Sequence, residues 1–155
     1  MDKLIRYDNP AKKYLKRYLM LQVRYASLFR EINRKRESLT GTTVALKQDV
    51  VSGGGSSDRM ASVVAWIADA EQQLADEARQ ISDALRDLLA AINSVDDETQ
   101  KTLLTLRYVE GLNWREIAEK LHYEERQTYV IHGRALLVVN EWLKTAQENA
   151  VDTVL

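Results

Sequence analysis

The sequence predicts an all-α protein: a long antiparallel helical hairpin of coiled-coil character, followed by a cluster of shorter helices. Three observations carry that expectation. Two long stretches repeat apolar residues at alternating steps of three and four, the period of helices packed along a seam. One proline, six glycines and one phenylalanine are too few for the turns of an all-β chain. The C-terminal third then breaks into helix-length pieces separated by capping and turn residues.

The first helix is expected to begin at Asn9-Pro10. Asparagine is a good N-cap, and proline at the first helical position loses no needed N–H. Its seam reads Tyr14, Tyr18, Leu21, Tyr25, Leu28 and Ile32, and the polar run Asn33 to Glu37 ends it. Residues 38–57 lose the period and are expected to form a flexible connection. Ser-Gly-Gly-Gly-Ser-Ser at 52–57 is poor helix material, since each interior glycine costs about 1 kcal/mol relative to alanine. No Gly-Lys-Ser/Thr ending makes it a phosphate loop. The second helix, capped by Ser57 or Asp58, runs to about Asn93 with Met60, Val64, Ile67, Leu74, Ile81, Leu85, Leu88 and Ile92 as its seam. A rod of about 50 Å cannot bury such a stripe alone. It needs the first helix, a second copy of the chain, or both, so a homodimer through the long helices is expected.

Three shorter helices follow. Asp96 or Asp97 caps one through Thr102, Leu103, Leu106 and Tyr108, ended by Gly111. Asn113 caps the next, Trp114 to Leu121. After His122-Tyr123 a longer helix starts at Glu124 or Glu125 and reaches about Gln147, with Ile131, Ala135, Leu136, Val139 and Leu143 inward. The domain plan is thus an arm over 1–94, a head over 95–147 and a tail over 148–155. A short helix, tight turn and longer helix across 114–133 have helix-turn-helix spacing. Ala118 must be small where the two helices cross, and Ile117, Leu121 and Ile131 fill the angle between them. The face left free presents Glu125, Arg126, Gln127, Val130 and Arg134, with Arg115 on the preceding helix, as candidate DNA contacts.

Composition narrows the function classes. The absence of cysteine excludes disulfides and thiolate metal sites, and two isolated histidines offer little for any other metal. No Ser/His/Asp set or inward carboxylate pair supports catalysis, so no enzyme and no cofactor are expected. The opening lacks an apolar leader and no apolar run is long enough for a membrane, making the cytoplasm the expected compartment. Net charge is −1, but residues 1–37 hold eleven Lys/Arg against four Asp/Glu, while residues 58–94 hold three against seven and residues 95–155 seven against eleven. The basic segment either lies along the acidic second segment or faces a nucleic-acid backbone.

Leu103-Leu104-Thr105-Leu106-Arg107-Tyr108-Val109-Glu110-Gly111-Leu112-Asn113-Trp114-Arg115-Glu116-Ile117-Ala118 resembles region 4 of sigma-70-type factors. There a helix ending in an Arg-Tyr-like pair leads through Glu-Gly-Leu into a helix-turn-helix. Glu125 to Leu136 looks like the recognition helix of phage-encoded relatives, the ArpU/RinA-type late transcription regulators. The likeness extends upstream to Gly53-Gly54-Gly55-Ser56-Ser57-Asp58-Arg59-Met60 and covers about residues 50–144. It implies a sigma-region-4-like head, a sequence-specific transcription regulator of phage or prophage origin, duplex DNA as ligand and RNA polymerase as a possible partner. The alternative is a helical adaptor that uses the same head for protein contact alone. The family pattern has glycine where this chain has His122, serine where it has Glu124 and a basic residue where it has Val130. Histidine tolerates a left-handed turn; valine can touch a thymine methyl but not bind phosphate.

Overall fold

The structure is a computed structural model and describes residues 9–46 and 55–152. Among them the chain is all-helical, with α1 (Pro10–Leu46), α2 (Gly55–Asn93), α3 (Glu98–Tyr108), α4 (Trp114–Leu121) and α5 (Glu125–Asp152) and no strand. Asn9 caps α1, its side-chain oxygen accepting the Lys12 N–H at 3.3 Å. The helix does not stop at Glu37. Ser38 and Thr40 turn their hydroxyls back onto the carbonyls of Lys35 and Glu37, at 2.7 and 2.9 Å, so both polar groups are satisfied without breaking the helix. The expected connection over 38–57 is therefore helical at 38–46 and again from Gly55; residues 47–54 lie outside the described residues. Gly55 opens α2, where its N–H needs no intrahelical acceptor. The expected tail is helical too, as α5 continues through Asp152.

Two compact units form. Among the described residues, one draws on 9–20 and 82–152, the other on 21–46 and 55–81. The first of these units joins the start of α1 to the end of α2 and the C-terminal helices through one core. Ala11 and Leu15 from α1, with Leu88, Ala91, Ile92 and Val95, share one core with Leu104, Tyr108, Ala135, Leu136 and Val139. Tyr14 and Trp142 meet edge-on at its rim, 6.1 Å between centroids. A polar clasp closes the same unit: Asn140 on α5 accepts the Ala11 N–H at 2.9 Å and donates to the Asn9 side chain at 3.2 Å. One of the orphan amides at the start of α1 is thereby satisfied from the far end of the chain. Arg17 reaches Asp87 at 3.4 Å.

In the second unit the seam of α1 buries Leu21 and Ile32, but that of α2 departs from the expected list. Val64 is 52% exposed, whereas Ala70 and Glu77 are buried. Glu77 receives Arg24 at 3.2 Å and Gln73 at 3.3 Å, and its second oxygen, Oε2, is buried without a partner. Arg36 pairs with Glu71, and the Lys35 ammonium lies 5.1 Å from the Trp66 ring centre. Arg17, Arg24 and Arg36 each engage an acid of α2, so part of the basic first segment answers the acidic second one. The two exposed pairs, Arg17–Asp87 and Arg36–Glu71, are worth about 0–1 kcal/mol each.

Candidate nucleic-acid interface

The three C-terminal helices are set at their ends by caps. Asp97 accepts the Gln100 N–H at 2.8 Å and starts α3. Beyond Tyr108 the chain turns at Gly111, whose φ of +73° favours glycine. A Cβ there would meet a Leu19 methyl at 3.6 Å, an ordinary van der Waals distance, so the backbone conformation and not space favours glycine. Asn113 and Glu116 form a reciprocal capping box, Asn113 accepting the Glu116 N–H at 3.0 Å and Glu116 accepting the Asn113 N–H at 2.8 Å. Two orphan amides of a short helix are satisfied at once.

The turn after α4 carries the left-handed residue that the sequence pattern requires. His122 has φ 57° and ψ 39°. Tyr123 N–H donates to Ala118 O at 3.0 Å and His122 N–H to Glu119 O at 3.3 Å, the pair of bonds that defines a Schellman ending. α5 then begins at Glu125, with the Glu124 carbonyl accepting from Gln127 at 2.9 Å and Thr128 at 3.1 Å. Ile117, Leu103 and Leu106 form the small core beneath this turn, with Leu112, Trp114, Leu121 and Ile131 packed on it.

A buried polar pair ties α5 to α3. The Tyr108 hydroxyl and His132 Nε2 share a hydrogen bond of 2.8 Å, with the two residues only 1% and 7% exposed. Burial pushes the Tyr108 hydroxyl up to about 12. Burial, followed by the positive charges of Lys12, Arg107 and Lys16, lowers His132 to about 4. His132 is therefore a neutral, packed histidine near neutral pH. Trp114 packs against two rings of α5, tilted at 4.6 Å from Tyr129 and edge-on at 4.7 Å from His132. Arg107 lies 4.9 Å from the Trp114 ring centre and donates to the Leu112 carbonyl at 2.7 Å.

This packing decides what α5 shows. At about 100° per residue, Arg126, Val130 and Arg134 follow one another round the helix in small steps and Gln127 flanks them. All four are exposed, and Thr128, Ala135 and Val139 are buried on the opposite side. Arg126, Gln127, Val130 and Arg134 therefore share one outward arc of about 100°. Glu125 does not belong to it: its carboxylate accepts from Tyr129 at 3.4 Å on the flank facing Trp114. Arg115 stands exposed on α4 and pairs with Glu119 at 3.3 Å. Lys120 lies about 140° round α4 from Arg115, and Arg107 is engaged by its own turn. Arg107, Arg115, Lys120, Arg126 and Arg134, five of the seven bases in 95–155, thus do not gather on one face. Tyr129, 47% exposed beside Trp114, borders the arc and was not among the expected contacts. Its only sequence signal is the four-residue spacing from Glu125.

Among the described residues no group of His, Asp and Glu has the arrangement of a metal site, and no helix is long and apolar enough to cross a membrane. Comparison with protein-family models, curated proteins and solved structures finds no match to this chain.

Proposed function

We propose that this protein is a sequence-specific DNA-binding transcription regulator whose α4, turn and α5 act as a helix-turn-helix. The observation that carries the reading is the outward arc of α5, which holds Arg126, Gln127, Val130 and Arg134 together while the opposite face is buried. The chemistry suits a major groove. Arginine pairs with both acceptors of guanine, glutamine with the acceptor and donor of adenine, and valine meets a thymine methyl. Arg126, Gln127 and Val130 take these roles, with Arg134 and Arg115 on phosphates. α1 and α2 serve as a coiled-coil-like antiparallel arm through which two copies pair. The likeness of residues 50–144 to ArpU/RinA-type regulators is the ground for a phage or prophage role alongside RNA polymerase.

Residues 95–155 carry eleven acids against seven bases, and affinity for duplex DNA comes largely from phosphate neutralisation. A single head therefore binds weakly, and pairing of two heads raises the apparent affinity. Selection from a random duplex library, with and without RNA polymerase, tests the reading. An enriched motif that disappears for Arg126→Ala/Gln127→Ala supports it; no enrichment under either condition overturns it.

A second reading has one observation in its favour. Leu137 is 64% exposed and Val138 38% on the same helix, an apolar surface that suits protein contact. A helical adaptor would capture RNA polymerase or another phage protein after nuclease treatment and regardless of Arg126→Ala.

A further inference from the structure

The basic residues at the start of α1 divide into two groups. Arg17 is paired with Asp87. Lys12 and Lys16 have no carboxylate partner among the described residues. Taking Ala11 and Leu15 as the buried stripe of α1, steps of about 100° put Leu19, Lys12 and Lys16 together on one flank. Leu19 is the residue whose methyl lies 3.6 Å from the Cβ position of Gly111 in the α3–α4 turn, so both lysines lie on the side of α1 turned toward that turn. Arg107 is fixed there by the Leu112 carbonyl and Trp114. The next residue, Asn113, opens α4 with its positive helix end. Three cations thus collect around one turn. They feel one another: burial, then the charges of Lys12 and Arg107, lower the Lys16 ammonium below its ordinary value.

Glu110 sits on the turn itself, but no described carboxylate pairs with Lys12 or Lys16, so the like charges of Lys12, Lys16 and Arg107 repel, and a polyanion relieves that repulsion. An acidic peptide would match such a patch at isolated points. A duplex backbone presents a regular row of phosphates, and the patch adjoins the first helix of the unit proposed above to enter the groove. We propose that Lys12, Lys16 and Arg107 form a phosphate-contacting patch that makes the start of α1 part of the DNA interface. The inference rests on the DNA-binding reading and extends it: the arm does more than pair two heads, because its first turns hold the duplex.

The test uses the full chain and a mixed-sequence duplex of about 30 base pairs, with affinity measured by fluorescence anisotropy across a salt series. Each phosphate contact contributes about 0.9 to the slope of log affinity against log salt. Lys12→Gln/Lys16→Gln should therefore flatten the slope by about 2. Lys13→Gln/Arg79→Gln removes the same charge from another flank of α1 and from α2, and should leave the slope as it is. Lys12→Arg/Lys16→Arg should keep the wild-type slope. If the wild-type protein binds and the glutamine pair leaves the slope unchanged, the patch is refuted while the DNA-binding reading stands. Loss of slope in the arginine pair as well refutes it too, since the lysines would then act through structure. Absence of duplex binding by the wild type at low salt rejects the DNA-binding reading, and the patch with it.

Discussion

Acid should loosen this protein through one buried ring. His132 is buried against Tyr108 and Trp114 and titrates at about 4 when folded, against an ordinary value of 6.5. The unfolded chain therefore takes up a proton on this residue as pH falls below 6.5, whereas the folded chain resists it until about pH 4. Stability from this group is complete above pH 6.5 and is lost progressively on the way down. The full shift corresponds to about 3 kcal/mol. Between about pH 7 and about pH 5 the loss amounts to about 2 kcal/mol. Urea unfolding followed by tryptophan fluorescence at the two pH values measures it, with a midpoint change on the order of 1 M. Carboxylates contribute their own acid dependence, so the reference is His132→Gln, which stays neutral and still offers Tyr108 a hydrogen-bond partner. Wild type should lose about 2 kcal/mol more than the variant over this range. Equal losses in the two proteins, or a titration that places His132 near 6.5, would refute the reasoning.

Three further outcomes follow from local geometry. His122→Gly should raise stability by about 1 kcal/mol, because φ 57° strains a residue with a side chain; a lower melting temperature would contradict the Schellman turn. Asn113→Ala removes the acceptor side of the capping box and should cost about 1 kcal/mol, read by thermal unfolding; a neutral result would mean the box contributes nothing. Glu77→Leu should stabilise by about 1 kcal/mol or more, since the carboxylate is buried with one oxygen unpaired while the Arg24 side chain it leaves behind is 60% exposed. A chemical denaturation midpoint that falls instead would assign net favourable energy to the pair.

What the sequence made legible were features with a short-range chemical signal. Asn9, Asp97 and Asn113 read as caps and act as caps. Leu21 and Ile32 in α1, and Leu88 and Ile92 in α2, stand out by period and are buried. What escaped was burial by residues that carry no apolar signature. Ala70, Glu77 and Ala84 are buried in α2, yet alanine is small and glutamate charged, so the period passed over them to Val64. Helical residues 38–46 were hidden because Ser, Thr and Gly are poor helix formers in isolation. Asn140 lies in mid-helix, and nothing local distinguishes a surface asparagine from one that caps another helix. Within the candidate interface, the order Arg126, Gln127, Val130, Arg134 was legible from the helical repeat. The turning of Glu125 toward Tyr129, and the retention of Arg107 by its own turn, depend on neighbours brought in by folding.

The clasp between Asn9 and Asn140 has a bearing on synthesis. Its two ends are 131 positions apart, and at about 10 residues per second the ribosome needs on the order of ten seconds to make the second after the first. Throughout that interval Ala11 and Leu15 lack the Ala135, Leu136 and Val139 side chains that complete their core. α1 is thus made well before the core that houses its start is complete, and its apolar stripe needs protection while α5 emerges.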